Sequence, residues 1–137
     1  MKSWRIKNLL LSAAAITLGG LLYLIFRDRS YVTVLLGNRD WLISVRHSMQ
    51  PLSCEVVKYY IPDFLWAFSL ACALRAVHGV CVQATVVCGM GAFLCGLIWE
   101  LLQYAQIVSG TGDMLDVVMY LIAGLICILL NLKERRK

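Results

Sequence analysis

The chain has 137 residues and a formal net charge of +5, with 61% hydrophobic and only 15% charged residues. Soluble domains carry about 25% charged residues, so a soluble unit of this length has no means of hiding so much apolar surface. Intrinsic disorder is excluded, an ordinary cytosolic enzyme is disfavoured, and two histidines leave little material for histidine-based metal chemistry.

The composition points to an all-α, polytopic membrane protein, a single membrane domain over residues 1–137. Residues 9–26 form the first apolar run, interrupted only by Ser12, Thr17 and the Gly19-Gly20 pair, and Lys2, Arg5 and Lys7 precede it. At about 1.5 Å per residue it nearly crosses a hydrocarbon core of about 30 Å. Apolar residues continue well past Ala13-Ala14-Ala15, so an uncleaved anchor is expected rather than a signal peptide. Residues 27–60 make a long connection. Trp41, Leu42, Val45 and Met49 recur there at helical spacing, which predicts a short helix lying at the membrane interface. The second span, 61–77, opens with Pro62 and Asp63. Proline fits a first helical turn, and an acid there complements the positive helix end. The third helix covers 80–105 and carries its pattern on through Glu100, Gln103 and Tyr104. Ser109-Gly110-Thr111-Gly112 reads as a turn, and the fourth span is 114–132.

Four spans place both termini on one side. If that side is the cytoplasm, it holds Lys2, Arg5, Lys7, Arg75, Lys133, Arg135, Arg136 and Lys137, against Arg27, Arg29, Arg39, Arg46 and Lys58 outside. This bias predicts a multi-pass protein of the cell membrane with cytoplasmic N- and C-termini. The basic termini then serve topology and anionic lipid, and no nucleic-acid partner is expected.

In that orientation the acids gather outside, with Glu134 alone within. Charge at the edge of a span is costly and usually faces protein or water. Glu100 and Gln103 share a helix face. Ala84, Cys88, Ala92, Gly96 and Glu100 form a series at spacing four, a small-residue stripe of the kind that lets helices pack closely. Asp116, Tyr120, Ala123 and Cys127 share a face on the last helix. The glycine-containing turn brings Asp113 and Asp116 opposite Glu100, so the hairpin carries three carboxylates and an amide at its mouth. Close carboxylates demand a raised pKa or a shared cation, or else serve as a hydrogen-bonded clamp. Asp63, Glu100, Gln103, Asp113 and Asp116 are therefore the candidate polar site.

Six cysteines include no CxxC pair. Cys72, Cys81, Cys88, Cys95 and Cys127 fall within apolar spans and read as small packing residues; Cys81, Cys88 and Cys95 recur every seven residues along one helix, too far apart to bridge. Arg75, near an inner helix end, is expected to snorkel to the surface. Trp4, Tyr23, Tyr31, Tyr59, Tyr60, Trp99 and Tyr104 fit an aromatic belt, whereas Trp66 is deeper and reads as packing. There is no Walker loop, dinucleotide glycine motif, HExxH or nucleophile elbow, and no cofactor is expected.

Glu100-Leu-Leu-Gln103, a glycine-containing turn, and Asp113-Met-Leu-Asp116 at a helix start together resemble the VanZ-like family of small bacterial membrane proteins. Pro62-Asp63 resembles that family's Pro-Asp-Lys segment, so the likeness spans roughly residues 61–132. Phe64 stands where the family has Lys, Ala67 where it has His and Tyr120 where it often has Asn, and the Arg of the turn is absent. The resemblance implies a cell-envelope role: binding or processing a lipid-linked envelope component or an amphiphilic antibiotic, with an effect on lipoglycopeptide sensitivity. It leaves open whether a reaction is catalysed. The small-residue stripe also permits a homo-oligomer. Two other classes stand beside this reading: a small transporter or proton-coupled subunit, and a non-catalytic scaffold. Transport is weakened because the inner halves of the helices offer only Gln83 and Asn131 as polar groups.

Overall fold

A computed structural model describes residues 3–26, 40–49, 51, 54–78 and 81–134, apart from the side chain of Glu134. Five α-helices account for nearly all of them: α1 (Ser3–Phe26), α2 (Asp40–Met49), α3 (Ile61–Val77), α4 (Val82–Tyr104) and α5 (Met114–Glu134). No strand occurs among the described residues. Four of the helices are long and apolar enough to cross a membrane, which makes this a multi-pass membrane protein. Of the charges that set the expected orientation, Lys2, Arg27, Arg29, Arg39, Arg135, Arg136 and Lys137 lie outside the described residues.

The spans alternate in direction. One end of the bundle carries both termini and the α3–α4 connection. The other, here the distal end, carries the α4–α5 turn. Helix α3 is the hub: it packs along α1 and also meets α4 and α5, while α4 and α5 form a tight hairpin. Small side chains make this possible. Ala67, Ala71, Cys72, Cys88, Ala92, Ala123 and Cys127 are all buried, so the core is built largely from residues with little side-chain bulk. The large apolar residues Leu94, Ile98, Leu121, Leu125 and Leu129 project outward, as a lipid-facing surface requires.

The stripe on α4 is the packed face. Its buried members are Cys88, Ala92, Gly96 and Glu100. A Cβ on Gly89 would stand 2.8 Å from the Gly124 carbonyl oxygen, and one on Gly124 would stand 2.7 Å from the Gly89 carbonyl oxygen. Backbone thus meets backbone where α4 crosses α5. The heptad of cysteines splits: Cys88 is buried, whereas Cys81 and Cys95 are exposed. Packing accounts for Cys88 alone. Cys81 caps α4, its sulfur accepting from the Ala84 N–H at 3.2 Å.

Several boundaries differ from the sequence reading. Helix α1 starts six residues before the expected span because Asn8, fully buried, is satisfied inside the bundle. Its amide donates to Trp4 O at 2.9 Å and to Asn131 Oδ1 at 3.0 Å. The chain before α3 is helical too. Val56–Tyr60 form a π-turn in which the Ile61 N–H reaches back five residues to Val56 O. Pro62 explains it: without an N–H, and with a ring that crowds the carbonyl four residues back, proline breaks the regular ladder, and a wider turn absorbs the misfit. Helix α2 buries Leu42 and leaves Trp41 and Met49 exposed. Its Arg46 donates to Leu24 O at 2.8 Å, tying α2 to the end of α1.

The terminal half is more polar than the sequence indicated. Besides the Asn8–Asn131 pair, Ser69 Oγ donates to Ser12 O at 2.9 Å across α1 and α3. Arg75 does not snorkel outward. It is 2% exposed, lies 4.9 Å from the Trp4 ring and donates to His78 O at 3.1 Å. A cation stacked on an indole and bonded to a helix-terminal carbonyl keeps its interactions without reaching the surface. Gln83, one of the two polar groups expected there, is exposed instead.

Candidate functional site

The α4–α5 turn is built by identifiable local rules. Gln106 adopts a left-handed conformation with φ 57°. Its N–H bonds to Gln103 O at 2.9 Å, and the Ile107 N–H bonds to Leu102 O at 2.9 Å. This is the Schellman pattern that ends many helices, here without the usual glycine. Gly110 also has positive φ, at 147°, and lies directly beneath the Gln103 amide. At Gly112 a Cβ would come within 3.0 Å of Glu100 O, so only glycine lets the chain hug the end of α4 this closely. Asp113 then caps α5, its Oδ1 accepting from the Leu115 N–H at 2.9 Å.

Glu100 is the centre of this construction. It is 5% exposed. One oxygen, Oε2, accepts from the Asp113 N–H at 2.9 Å; the other, Oε1, accepts from Tyr120 Oη at 3.0 Å. A buried carboxylate needs partners on both oxygens to offset its lost hydration, and this one has them. Glu100 is thus held by two donors, a main-chain N–H at a helix start and a tyrosine hydroxyl. Among the described residues no three His, Cys, Asp or Glu side chains are grouped closely enough to hold a metal ion.

Of the five expected site residues, Glu100 and Asp113 are joined directly. Gln103 belongs to the turn through its packing on Gly110. Asp63 and Asp116 both lie within electrostatic reach of the Tyr120 hydroxyl, and Asp113 and Asp116 within reach of Tyr60 at the start of α3. Asp63, Glu100, Asp113 and Asp116 thus share the distal end with Tyr60 and Tyr120.

Tyr120 is the residue that sequence reasoning missed as a participant. It is 2% exposed, and its ring fills the space left by Gly96, where any Cβ would collide with it. The signal was present: Tyr120 lies one turn beyond Asp116, on the same face. Trp66, which reads from the sequence as packing, does more than that. It is 41% exposed and meets the Tyr120 ring edge-on, with centroids 6.2 Å apart.

On its other side Trp66 borders a lateral recess between α1 and α3, of about 230 Å³. Ile16, Gly19, Gly20, Tyr23, Leu24 and Pro62 line it with Trp66, and Asp63 is its one acid. Gly20 opens onto it: nothing lies within 4 Å of the place a Cβ on Gly20 would occupy. Gly19, by contrast, faces α3, where a Cβ would stand 3.2 Å from Leu65 Cβ. Gly19 brings the helices together, and Gly20 borders the hollow beside them.

No family model matches the chain, no curated protein matches it, and no solved structure matches it.

Proposed function

We propose that this chain is a VanZ-like protein of the cell membrane, with both termini cytoplasmic, that binds a cationic amphiphile at its outward, distal end. The observation that carries the reading is the recess between α1 and α3: its walls are apolar, and Asp63 stands at its head. Between Ile16 and Tyr23 the recess runs about 10 Å along α1, enough for part of an acyl chain. Asp63, near the start of α3, meets the head group at interface depth. Asp116, like Asp63 within electrostatic reach of Tyr120, adds negative charge on the α5 side. An ammonium or other cationic head is the complementary group. Envelope-directed amphiphiles, including lipid-linked components and amphiphilic antibiotics with amine groups, belong to that chemical class.

Within this reading Glu100 and Asp113 have a scaffold role. Both Glu100 oxygens are committed, so the pair sets the α4–α5 hairpin and holds Tyr120 against Trp66. Between the distal acids and the Asn8–Asn131 pair the core is lined by Ala67, Ala71, Ala92 and Ala123, with the Ser12–Ser69 bond on its α1–α3 side. That largely apolar lining supports binding at one face over passage through the bundle.

The test is titration of the purified chain, in a neutral detergent, with a single-chain alkylammonium, the matching alkyl sulfate and the matching alkyl maltoside, read by native mass spectrometry. The alkylammonium should bind at one saturable site, and Asp63→Asn should weaken it about tenfold, as loss of one charge-assisted contact predicts. Equal binding of all three head groups, unchanged in Asp63→Asn, would refute the proposal.

A further inference from the structure

The thiols of Cys72 on α3 and Cys127 on α5 face each other across the bundle, 3.9 Å apart. Each residue is 1% exposed. Ala71 and Ala92 pack around them, with Leu11, Phe68 and Leu70 outside. Cys127 Sγ also accepts a weak hydrogen bond from Asn131 Nδ2 at 3.7 Å. That amide belongs to the Asn8–Asn131 pair, so the sulfur is attached to the buried polar seam of the terminal half.

We propose that Cys72 and Cys127 are a reversible dithiol–disulfide pair within the membrane, oxidised by a bilayer-soluble quinone. The site lies apart from the amphiphile recess, and the inference does not depend on that reading. Both S–H bonds break and one S–S bond forms. The two electrons and two protons released reduce the quinone to its quinol, which returns to the bilayer.

Three physical points favour this chemistry. A disulfide needs the sulfurs at about 2.05 Å, hence an approach of about 1.9 Å. The neighbours that the two side chains must pass in turning toward each other include the small Ala71 and Ala92. Next, the product is neutral and apolar, so a low-dielectric core accepts it at little cost. A dithiolate holding a soft cation would keep charge in that core, and no third ligand is grouped there among the described residues. Finally, the surroundings select the oxidant. Contact with the sulfurs requires Leu11 or Phe68 to move aside; an apolar quinone already dissolved in the bilayer can enter such an opening and take up two electrons with two protons, whereas an ionic oxidant would first have to leave water. The bond would join α3, which carries Asp63, to α5, which carries Asp116 and Tyr120, and so fix the hub helix to the hairpin.

The experiment uses the full chain in lipid nanodiscs containing a short-tailed benzoquinone. Quinol is followed by absorbance, and linkage by mass spectrometry of peptides digested without reductant. The background variant Cys54→Ser/Cys81→Ser/Cys95→Ser removes the exposed thiols. About one quinol per chain is expected, together with a Cys72–Cys127 linked peptide that dithiothreitol dissolves. Adding either Cys127→Ala or Cys72→Ala to that background should abolish both signals. Two results would overturn the proposal: no 72–127 link in the background chain under conditions that oxidise the exposed thiols of the unmodified protein, or undiminished quinol formation in the alanine variants. The linked peptide is read on a chain that retains both core cysteines, so that result is independent of how well the alanine variants fold.

Discussion

Removing the hydroxyl of Tyr120 isolates the contact that closes the distal end. In Tyr120→Phe the ring still fills the space beside Gly96 and still meets Trp66. Only the 3.0 Å hydrogen bond to Glu100 Oε1 is lost. A hydrogen bond to a charged group contributes about 1.5–3 kcal/mol, and here the carboxylate oxygen left behind is buried. The hydrogen bond from the Asp113 N–H remains, so a loss of about 2 kcal/mol is expected. Glu100→Gln differs in kind, because both partners of Glu100 are donors in the native arrangement. The amide can accept from one but must present its NH₂ to the other, which forces the tyrosine hydroxyl to turn. Its cost should be of similar size, and the double variant should cost less than the sum by about 1 kcal/mol or more, as for residues in direct contact. Reversible unfolding in mixed micelles, followed by circular dichroism, measures all three. If Tyr120→Phe lies within about 0.5 kcal/mol of the unaltered chain, or if the two substitutions are additive, the clamp at Glu100 is not a stabilising element.

Three further predictions concern packing and termini. Gly96→Ala should destabilise by about 1–3 kcal/mol despite alanine's better helix propensity, because the new Cβ overlaps the Tyr120 ring; thermal unfolding in detergent reads this directly. Gln106→Gly should stabilise by up to about 1 kcal/mol in the same assay, since a left-handed residue at a Schellman terminus strains a side chain that glycine lacks. Asn8→Ala should cost about 0.5–2 kcal/mol by leaving Asn131 with its bonds to the Cys127 carbonyl and sulfur and no partner on α1, and chemical denaturation of the variant beside Asn131→Ala and the double variant should show strong non-additivity.

Much of the architecture was legible because hydrocarbon imposes it. Runs of apolar residues near 20 in length gave four spans, and the spacing of Ala84, Cys88, Ala92, Gly96 and Glu100 identified the packed face of α4. The same stripe indicated that Glu100 points into protein, and the turn residues brought Asp113 to it. What could not be read depends on partners remote in sequence. Asn8 extends α1 because Asn131 meets it 123 residues away. Cys72 and Cys127 read as packing when taken singly, and meet only once α3 and α5 are assembled. Arg75 looked like a residue bound for the surface, and Trp4, far from it in sequence, covers it. Tyr120 shared a face with Asp116, yet nothing local says that its hydroxyl supplies the donor that a close-set carboxylate needs. The recess is the least legible feature, since it lies between two helices whose alignment no periodicity states.

Gly20→Leu is the substitution that tests the binding proposal most directly. Gly20 lines the recess and nothing lies within 4 Å of its Cβ position, so a leucine there adds bulk at the recess wall without displacing a neighbour. It also replaces a helix-interior glycine, which favours the fold by up to about 1 kcal/mol. The variant should therefore unfold at the same temperature as the unaltered chain or slightly above it. Its affinity for the alkylammonium amphiphile, measured by native mass spectrometry, should nevertheless fall tenfold or more, by about 1.4 kcal/mol at least. Full binding retained in a stable Gly20→Leu chain would contradict the proposal, because the ligand would then occupy some place other than the recess headed by Asp63.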